Sequence, residues 1–239
     1  MNRLKTLISL LLAAAVFLML QACSMNTYTA ESGDLLIKVD TGSEWLHNHP
    51  LIGPITRPNP PTFAIWITDE LNNYIDDIYV TKKIGQVAWI ANDDPRPEAL
   101  PLWSSVRGGQ PTVENQVPDG LSGATPSIAS SFKVSPASGL SRFIIWLEIN
   151  HSLDYNSFFP EGVNDDEADN YSGGIGGSGQ PALVYRADID TALNAGSIVE
   201  LILAGHSESG GDDSGVYYAD LTCITTAADI IEKVEVEIK

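Results

Sequence analysis

Short alternating segments, separated by connections rich in Gly and Pro, constrain the fold of this 239-residue chain most strongly. The clearest is 232–238, where Val or Ile fills every second position from 234 onward and Glu lies between them. A period of two residues is typical of a strand with one buried face and one face in water. The other strand-like segments are rich in β-branched and aromatic residues. They are 34–40, 62–69, 74–81, 128–134, 142–149, 181–188, 197–205 and 215–221.

About nine strands with almost no helical periodicity predict an all-β protein, built as an antiparallel β-sandwich. The connections are predicted to be mostly irregular. The segment 41–61 contains five Pro residues and is predicted to lack regular structure. Segment 98–108 is predicted to be either a short helical turn or an extended crossing, and 226–231 a short helical turn.

The N-terminus has the order of a bacterial export signal. Arg3 and Lys5 precede an apolar stretch, 7–20, that is short for a stable transmembrane helix. It ends in Leu-Gln-Ala-Cys, which resembles a lipobox and predicts acylation of Cys23. The alternative is an ordinary signal peptide with a coincidental Cys. The predicted organisation is a signal peptide, 1–22, a polar tether, 23–33, and one sandwich domain, 34–239.

Acylation predicts a membrane partner, because two or three acyl chains hold a protein stably on a bilayer. Ser24 follows Cys23, whereas Asp at that position resembles an inner-membrane retention signal. The sequence therefore favours the periplasmic face of the outer membrane or the cell surface. Cys223 is the other cysteine of two, so it has no partner for an internal disulfide if Cys23 carries lipid.

The charge balance is strongly acidic. The formal net charge is −18, and it becomes −20 once Arg3 and Lys5 leave with the signal peptide. Such a surface argues against nucleic acid and anionic lipid surfaces as partners. Solubility alone is the simpler interpretation of the charge, and cation binding is the secondary one.

One segment, 119–125, has a specific chemical resemblance. It reads Asp-Gly-Leu-Ser-Gly-Ala-Thr. This resembles the Asp-x-x-Ser/Thr-Gly-Ala-Thr motif of FMN-carrying domains exported by bacteria, in which a periplasmic flavin transferase esterifies the last Thr hydroxyl with FMN phosphate. The resemblance implies the FMN-binding residues Asp119, Ser122, Gly123, Ala124 and Thr125.

The small residues of this motif suit that chemistry. Gly123 and Ala124 leave the Thr125 hydroxyl unshielded, and Asp119 and Ser122 orient the loop through side-chain to backbone bonds. Pro126 departs from the motif, because a small or hydroxyl residue usually follows the Thr. The alternative interpretation is a tight turn that leads into a strand.

Further polar residues have weaker signals. His47 and His49 form an i, i+2 pair without a third metal ligand nearby, so exposed loop residues are the simpler interpretation. The Gly-rich acidic loop 161–180 lacks the ligand order of an EF-hand, although an irregular calcium site remains an alternative there, as it does at Asp212 and Asp213. Arg107 is expected to pair with a carboxylate or to counter a phosphate.

Segment 203–210 superficially resembles the nucleophile elbow of serine hydrolases. A nucleophile elbow needs Gly two residues before and after the Ser, followed by a helix. Here Ser209 fills the second Gly position, and a turn followed by a strand is predicted next. A serine hydrolase is therefore rejected, and His206 is predicted to be a loop residue.

Several segments together resemble a family of predicted periplasmic proteins of unknown function. They include TFAIWITD, DGLSGATP, WLEINHSLDYN and GQPALVYRADID, and the resemblance extends over most of the chain from Gly33 onward. It implies an Ig-like sandwich similar to modules of flagellar hook scaffolding proteins. No catalytic residues are established for that family, and some members occur beside flavin-transferase genes.

Two functions follow from these observations. The first is an electron-transfer module that carries covalent FMN on Thr125, with a flavin transferase and a redox partner. The second is a structural or adhesive module of the envelope with a protein or glycan partner, stabilised in one variant by calcium. Neither function requires independent catalytic activity.

Overall fold

Two β-sheets form the framework of the protein in this computed structural model. It describes residues 34–52, 55–88, 96–117, 122–126, 128–135, 140–174, 176–211 and 214–239. Two α-helices lie among its strands: α1 (Lys82–Gly85) and α2 (Pro101–Arg107). Short 3-10 helices are Pro97–Ala99 and Thr226–Asp229. The strands are β1 (Leu35–Thr41), β2 (His47–Ile52), β3 (Ile55–Asn59), β4 (Thr62–Thr68), β5 (Tyr74–Thr81), β6 (Ser122–Gly123), β7 (Ser130–Val134), β8 (Arg142–Asn150), β9 (Leu183–Asp190), β10 (Ile198–Glu200), β11 (Ile202–Ser207), β12 (Tyr217–Tyr218) and β13 (Ile231–Ile238).

The sheet orders define an all-β sandwich. A four-stranded sheet has the order β10-β13-β1-β7, and a seven-stranded sheet has the order β12-β11-β9-β8-β4-β5-β6. Strands β2 and β3 form a separate ribbon. Among these described strands, every pairing is antiparallel except the one between β5 and β6. The predicted fold class is confirmed, with thirteen strands in the described residues rather than about nine.

The main core lies between the two sheets and follows the period of two. On β13, Val234, Val236 and Ile238 are each at most 1% exposed, as their alternation with Glu predicts. Strand β1 pairs with β13 in register, so that Ile37 lies opposite Val236. The seven-stranded sheet contributes its own inward face to this core, including Phe63, Ile65, Ile145, Leu147, Leu183 and Tyr185.

The seven-stranded sheet is covered on its other face as well. A second apolar cluster joins Trp66 of β4 and Trp146 of β8 to Trp103 of α2. The rings of Trp66 and Trp146 stack with centroids 6.1 Å apart. Burial on both faces explains why β4 and β8 are continuous apolar runs instead of alternating ones.

Three predictions about individual segments were wrong. The proline-rich segment 41–61 contains the β2–β3 ribbon, in which Pro58 lies opposite Asn48. The predicted strand 197–205 is two strands in different sheets, because the chain changes sheet at Leu201 between β10 and β11. The predicted strand 215–221 is reduced to Tyr217–Tyr218.

Two predictions about helical segments gained detail. The crossing at 98–108 is helical, with Pro101 at the first position of α2 and Gly108 at its end in a left-handed conformation. The predicted helical turn near 226–231 is present as the 3-10 helix. Within the described ranges, no helix has both the length and the apolar character needed to span a membrane.

Candidate functional site

The candidate FMN motif lies at the edge of the seven-stranded sheet. Strand β6 is the last strand of that sheet, and it pairs parallel to β5 with Ser122 opposite Val80 and Gly123 opposite Thr81. Asp119, the motif's first residue, and the side chain of Ser122 lie outside the described part of the chain. The structure therefore places the attachment end of the motif, Gly123–Thr125.

Ala124, Thr125 and Pro126 each form a hydrogen bond with a residue from a distant part of the chain. The Tyr79 hydroxyl donates to Ala124 O at 2.9 Å. The Thr125 hydroxyl donates to Pro61 O at 2.7 Å. The Trp45 indole donates to Pro126 O at 2.8 Å. The segment is thus attached to the sandwich through the backbone carbonyls of Ala124 and Pro126 and through the side chain of Thr125.

Gly123 has a local packing reason. A Cβ atom at this position would lie 3.2 Å from Cε2 of Tyr79. That spacing is tighter than ordinary van der Waals contact, so a larger residue would push against the ring that holds Ala124. Gly123 therefore lets Tyr79 pack closely enough to donate its hydrogen bond.

Aromatic rings form a continuous group behind the motif. Tyr79 and Phe63 have ring centroids 4.9 Å apart, and Tyr79 and Phe132 have centroids 4.5 Å apart. Trp45 lies against Phe63 on the other side, at 5.9 Å. Phe63 is fully buried, while Tyr79 and Phe132 are only partly buried. Burial raises the pKa of Tyr79 to about 12, so its hydroxyl is protonated and remains a donor at neutral pH.

The prediction of an unshielded Thr125 hydroxyl was wrong: Ala124 is exposed, but Thr125 is half-buried and its hydroxyl is bonded to Pro61 O. For esterification, Thr125 Oγ1 must give up its proton and its bond to Pro61 O. A hydrogen bond of this kind contributes on the order of 1 kcal/mol. That cost is small beside the barrier of a phosphoryl transfer, so the bond slows access to the hydroxyl without making it unreactive.

The weaker sequence candidates occupy other places. The interpretation of His47 and His49 as exposed loop residues was wrong, because both lie in strand β2 and His47 is half-buried. The Nδ1 of His47 lies 3.7 Å from a Glu44 carboxylate oxygen, and its ring centroid lies 5.7 Å from that of His151. The side chain of His49 lies outside the described residues, as do Asp212 and Asp213. In the described ranges, no three His, Cys, Asp or Glu side chains are grouped closely enough to hold a metal ion.

Arg107 pairs with a carboxylate, the first of its two predicted roles. Its Nε lies 3.3 Å from Oδ2 of Asp77, which also accepts the Trp103 indole N–H at 2.7 Å through Oδ1. The guanidinium lies over the Trp103 ring at 5.3 Å from the centroid. Burial raises the pKa of Asp77, and the bonds from Trp103 and Arg107 oppose that rise.

The hydrolase-like segment contains no elbow, and the prediction for His206 was wrong. His206 lies in strand β11, paired with Tyr218 of β12, and is not a loop residue. Its Nε2 lies 3.7 Å from Sγ of Cys223, at the edge of an open pocket of about 460 Å³. Burial raises the pKa of the Cys223 thiol, which is the opposite of what an activated nucleophile needs.

Buried polar groups escaped sequence reasoning. Glu148 on β8 is fully buried and accepts the backbone N–H groups of Leu102, at 3.2 Å, and Trp103, at 2.8 Å. It therefore caps the N-terminus of α2 from a distant part of the chain. Its sequence context, an apolar strand with one acidic residue, gives no sign of that partner.

Comparison with known proteins gives no match to any protein-family model, curated protein or solved structure. The resemblances drawn from the sequence motifs remain predictions.

Proposed function

We propose that this protein is a lipid-anchored module of the bacterial cell envelope that carries FMN covalently on Thr125 and transfers electrons to or from a partner protein. The observation that carries the proposal is the complete motif: Asp119, Ser122, Gly123, Ala124 and Thr125 fill every fixed position. The position of its Thr on a sheet-edge segment supports the proposal, because an enzyme can approach an edge.

The proposed attachment is a phosphoryl transfer. Thr125 Oγ1 forms a bond to the FMN-side phosphorus of FAD, the pyrophosphate bond breaks, and AMP leaves while the hydroxyl proton is released. A flavin transferase catalyses this step. The chain itself supplies the hydroxyl, and the bonds to Ala124 O and Pro126 O hold the backbone on both sides of it. The bound flavin would supply the redox chemistry.

The partly buried rings of Tyr79 and Phe132 support this location. Tyr79 contacts the segment that ends in Thr125 through its bond to Ala124 O, and Phe132 packs against Tyr79. Aromatic side chains favour stacked or tilted contacts with flat ring systems. The fold itself carries no argument, since sandwiches host unrelated functions.

A second candidate function, a protein- or glycan-binding module without flavin, is favoured by one observation. The Thr125 hydroxyl is already used as a donor to Pro61 O, and its neighbours are fixed by Trp45 and Tyr79. In that case the motif is a structural connection between β6 and the following segment.

Gel fluorescence separates the two functions. After co-expression with a flavin transferase, the denatured wild type is expected to fluoresce as a flavoprotein, and Thr125→Ser is expected to keep the signal because it keeps a hydroxyl. Thr125→Val is expected to lose it. Thr222→Val is the matched control, since it removes an exposed hydroxyl elsewhere. A fluorescent Thr125→Val band would show that flavin is bound at another residue.

The anchor is tested by fractionation. Cys23→Ala removes the only residue of the lipobox that can be acylated, so the protein is expected to move from the detergent-extracted membrane fraction to the soluble periplasm or the medium. Acyl chains provide about 0.8 kcal/mol per buried methylene, so their loss is expected to shift nearly all of the protein. A variant that still requires detergent would contradict acylation at Cys23.

A further inference from the structure

Three basic side chains from separate parts of the chain line one small pocket. Arg57 is in β3, Lys83 is in α1, and Arg96 precedes the first 3-10 helix. The pocket has a volume of about 180 Å³ and is completed by Asn59, Ser152, Leu153 and Gly176. Three of the chain's 13 Lys and Arg residues thus share one place on a protein of net charge −18. General solubility does not require such a cluster.

Arg57 and Lys83 have no acidic partner among the residues that the structure describes. Within the described ranges, no carboxylate lies within ion-pair distance of either side chain. The Nε atom of Arg57 is buried and makes no hydrogen bond to any described residue. Burial of a charged donor without a partner is costly, and a bound anion removes that cost.

The cations also repel one another. Burial lowers the pKa of Lys83, and the positive charges of Arg57 and Arg96 lower it further. The backbone fixes the arrangement: Arg96 Nη1 donates to Gly176 O, and the side-chain amide of Asn59 donates to Ser152 O at 2.8 Å. The pocket wall is therefore held by its own hydrogen bonds, and Arg57 and Arg96 are close enough to Lys83 to affect its charge.

We propose that this pocket binds an oxyanion, namely a phosphate group. The guanidinium of Arg57 and the ammonium of Lys83 supply the charge-assisted donors that phosphate oxygens accept. The volume suits a phosphate group rather than a whole nucleotide.

Two sources share this chemistry. One is a free phosphate or phosphorylated small molecule. The other is the phosphoester of FMN on Thr125, because the acceptor of the Thr125 hydroxyl, Pro61, lies two residues from Asn59 in the chain, and β6 pairs with β5 just before Lys83. The pocket itself does not depend on flavin attachment, whereas the second source rests on the proposed function.

Titration with inorganic phosphate at constant ionic strength tests the pocket, using the full mature chain without flavin. The wild type is expected to bind phosphate with a rise in melting temperature that sodium chloride does not reproduce. Arg57→Gln and Lys83→Gln are each expected to weaken binding at least tenfold, on the order expected for a charge-assisted contact. Arg142→Gln is the matched control, because Arg142 pairs with Asp190 outside the pocket.

The melting temperature of the variants without phosphate shows whether the three basic residues bind a ligand or stabilise the fold. Removal of one of three mutually repelling cations is expected to leave the melting temperature unchanged or higher, and a large decrease would show that the cations hold the fold. Absence of phosphate binding by the wild type, or equal binding by Arg57→Gln, would overturn the proposal. Binding that disappears when FMN is loaded on Thr125 identifies the phosphoester as the occupant, and binding that persists identifies a separate ligand.

Discussion

Val236→Asp is expected to leave the chain unfolded or aggregated. Val236 is fully buried on β13, opposite Ile37 of β1 and Val199 of β10, inside the four-stranded sheet. A carboxylate at this position is surrounded by apolar side chains and finds no cation. The penalty for an unpaired buried charge is several kcal/mol, whereas a typical domain is stable by about 5 to 15 kcal/mol.

Glu235→Ala is the matched control, one residue away on the opposite face. Glu235 pairs with Lys233 near the surface, and such pairs contribute about 1 kcal/mol or less. Far-UV circular dichroism and urea unfolding of both variants measure the difference. Equal losses of stability from Val236→Asp and Glu235→Ala would show that the register of β13 is wrong.

Glu148→Ala is expected to destabilise the protein by about 3 to 5 kcal/mol. The substitution leaves the N–H groups of Leu102 and Trp103 without their acceptor and opens a cavity in a fully buried place. A buried unsatisfied donor costs about 1 to 3 kcal/mol, and the cavity adds to that cost. Helix α2 and the Trp66–Trp146 cluster beneath it are the parts expected to loosen first.

The pH dependence of stability separates the effect of the titrating carboxyl group of Glu148 from the effect of its side-chain packing. Burial raises the pKa of Glu148 from 4.5 to about 7, against the opposing effect of the Trp103 N–H. Between these values the unfolded chain releases the proton that the folded chain retains, so stability falls as pH rises. From pH 5 to pH 8 this group alone is expected to remove about 2 to 3 kcal/mol.

Glu148→Gln keeps the shape of the side chain but has no titratable carboxyl group. The decrease in stability between pH 5 and pH 8 that Glu148 causes is therefore expected to be absent in this variant. Urea unfolding at pH 5 and pH 8 measures it, with the difference between wild type and Glu148→Gln as the readout. His151 has the opposite effect, because burial lowers its pKa to about 4, but it is present in both proteins and cancels. Parallel pH profiles for the two proteins would contradict a protonated Glu148.

The local sequence pattern predicted most of the strands, but it did not predict which strands pair with one another. The alternation on β13 predicted its buried face, and the apolar runs of β4 and β8 predicted strands. The β2–β3 ribbon was missed because its Pro residues argue against a strand. A two-stranded ribbon tolerates them, since each strand has a free edge where no donor is needed.

Non-local contacts account for the rest. The change of sheet at Leu201 depends on its backbone bond to Val234 O, and the helical state of α2 is supported by Glu148, 46 residues after Leu102. At the candidate site, the motif was visible in sequence, whereas the bond from Thr125 to Pro61 spans 64 residues. The basic pocket likewise joins three separate segments. The periodicity of a single sequence does not predict contacts between residues that are far apart in the chain.

Intact mass spectrometry of the wild type, co-expressed with a flavin transferase and supplied with FAD, tests the central claim most directly. The proposal predicts a gain of one FMN less one water per chain, absent from Thr125→Val while that variant remains folded by circular dichroism. An unmodified wild type, under conditions that fully modify an authentic FMN-carrying domain, would contradict it and leave 122–126 as a structural connection.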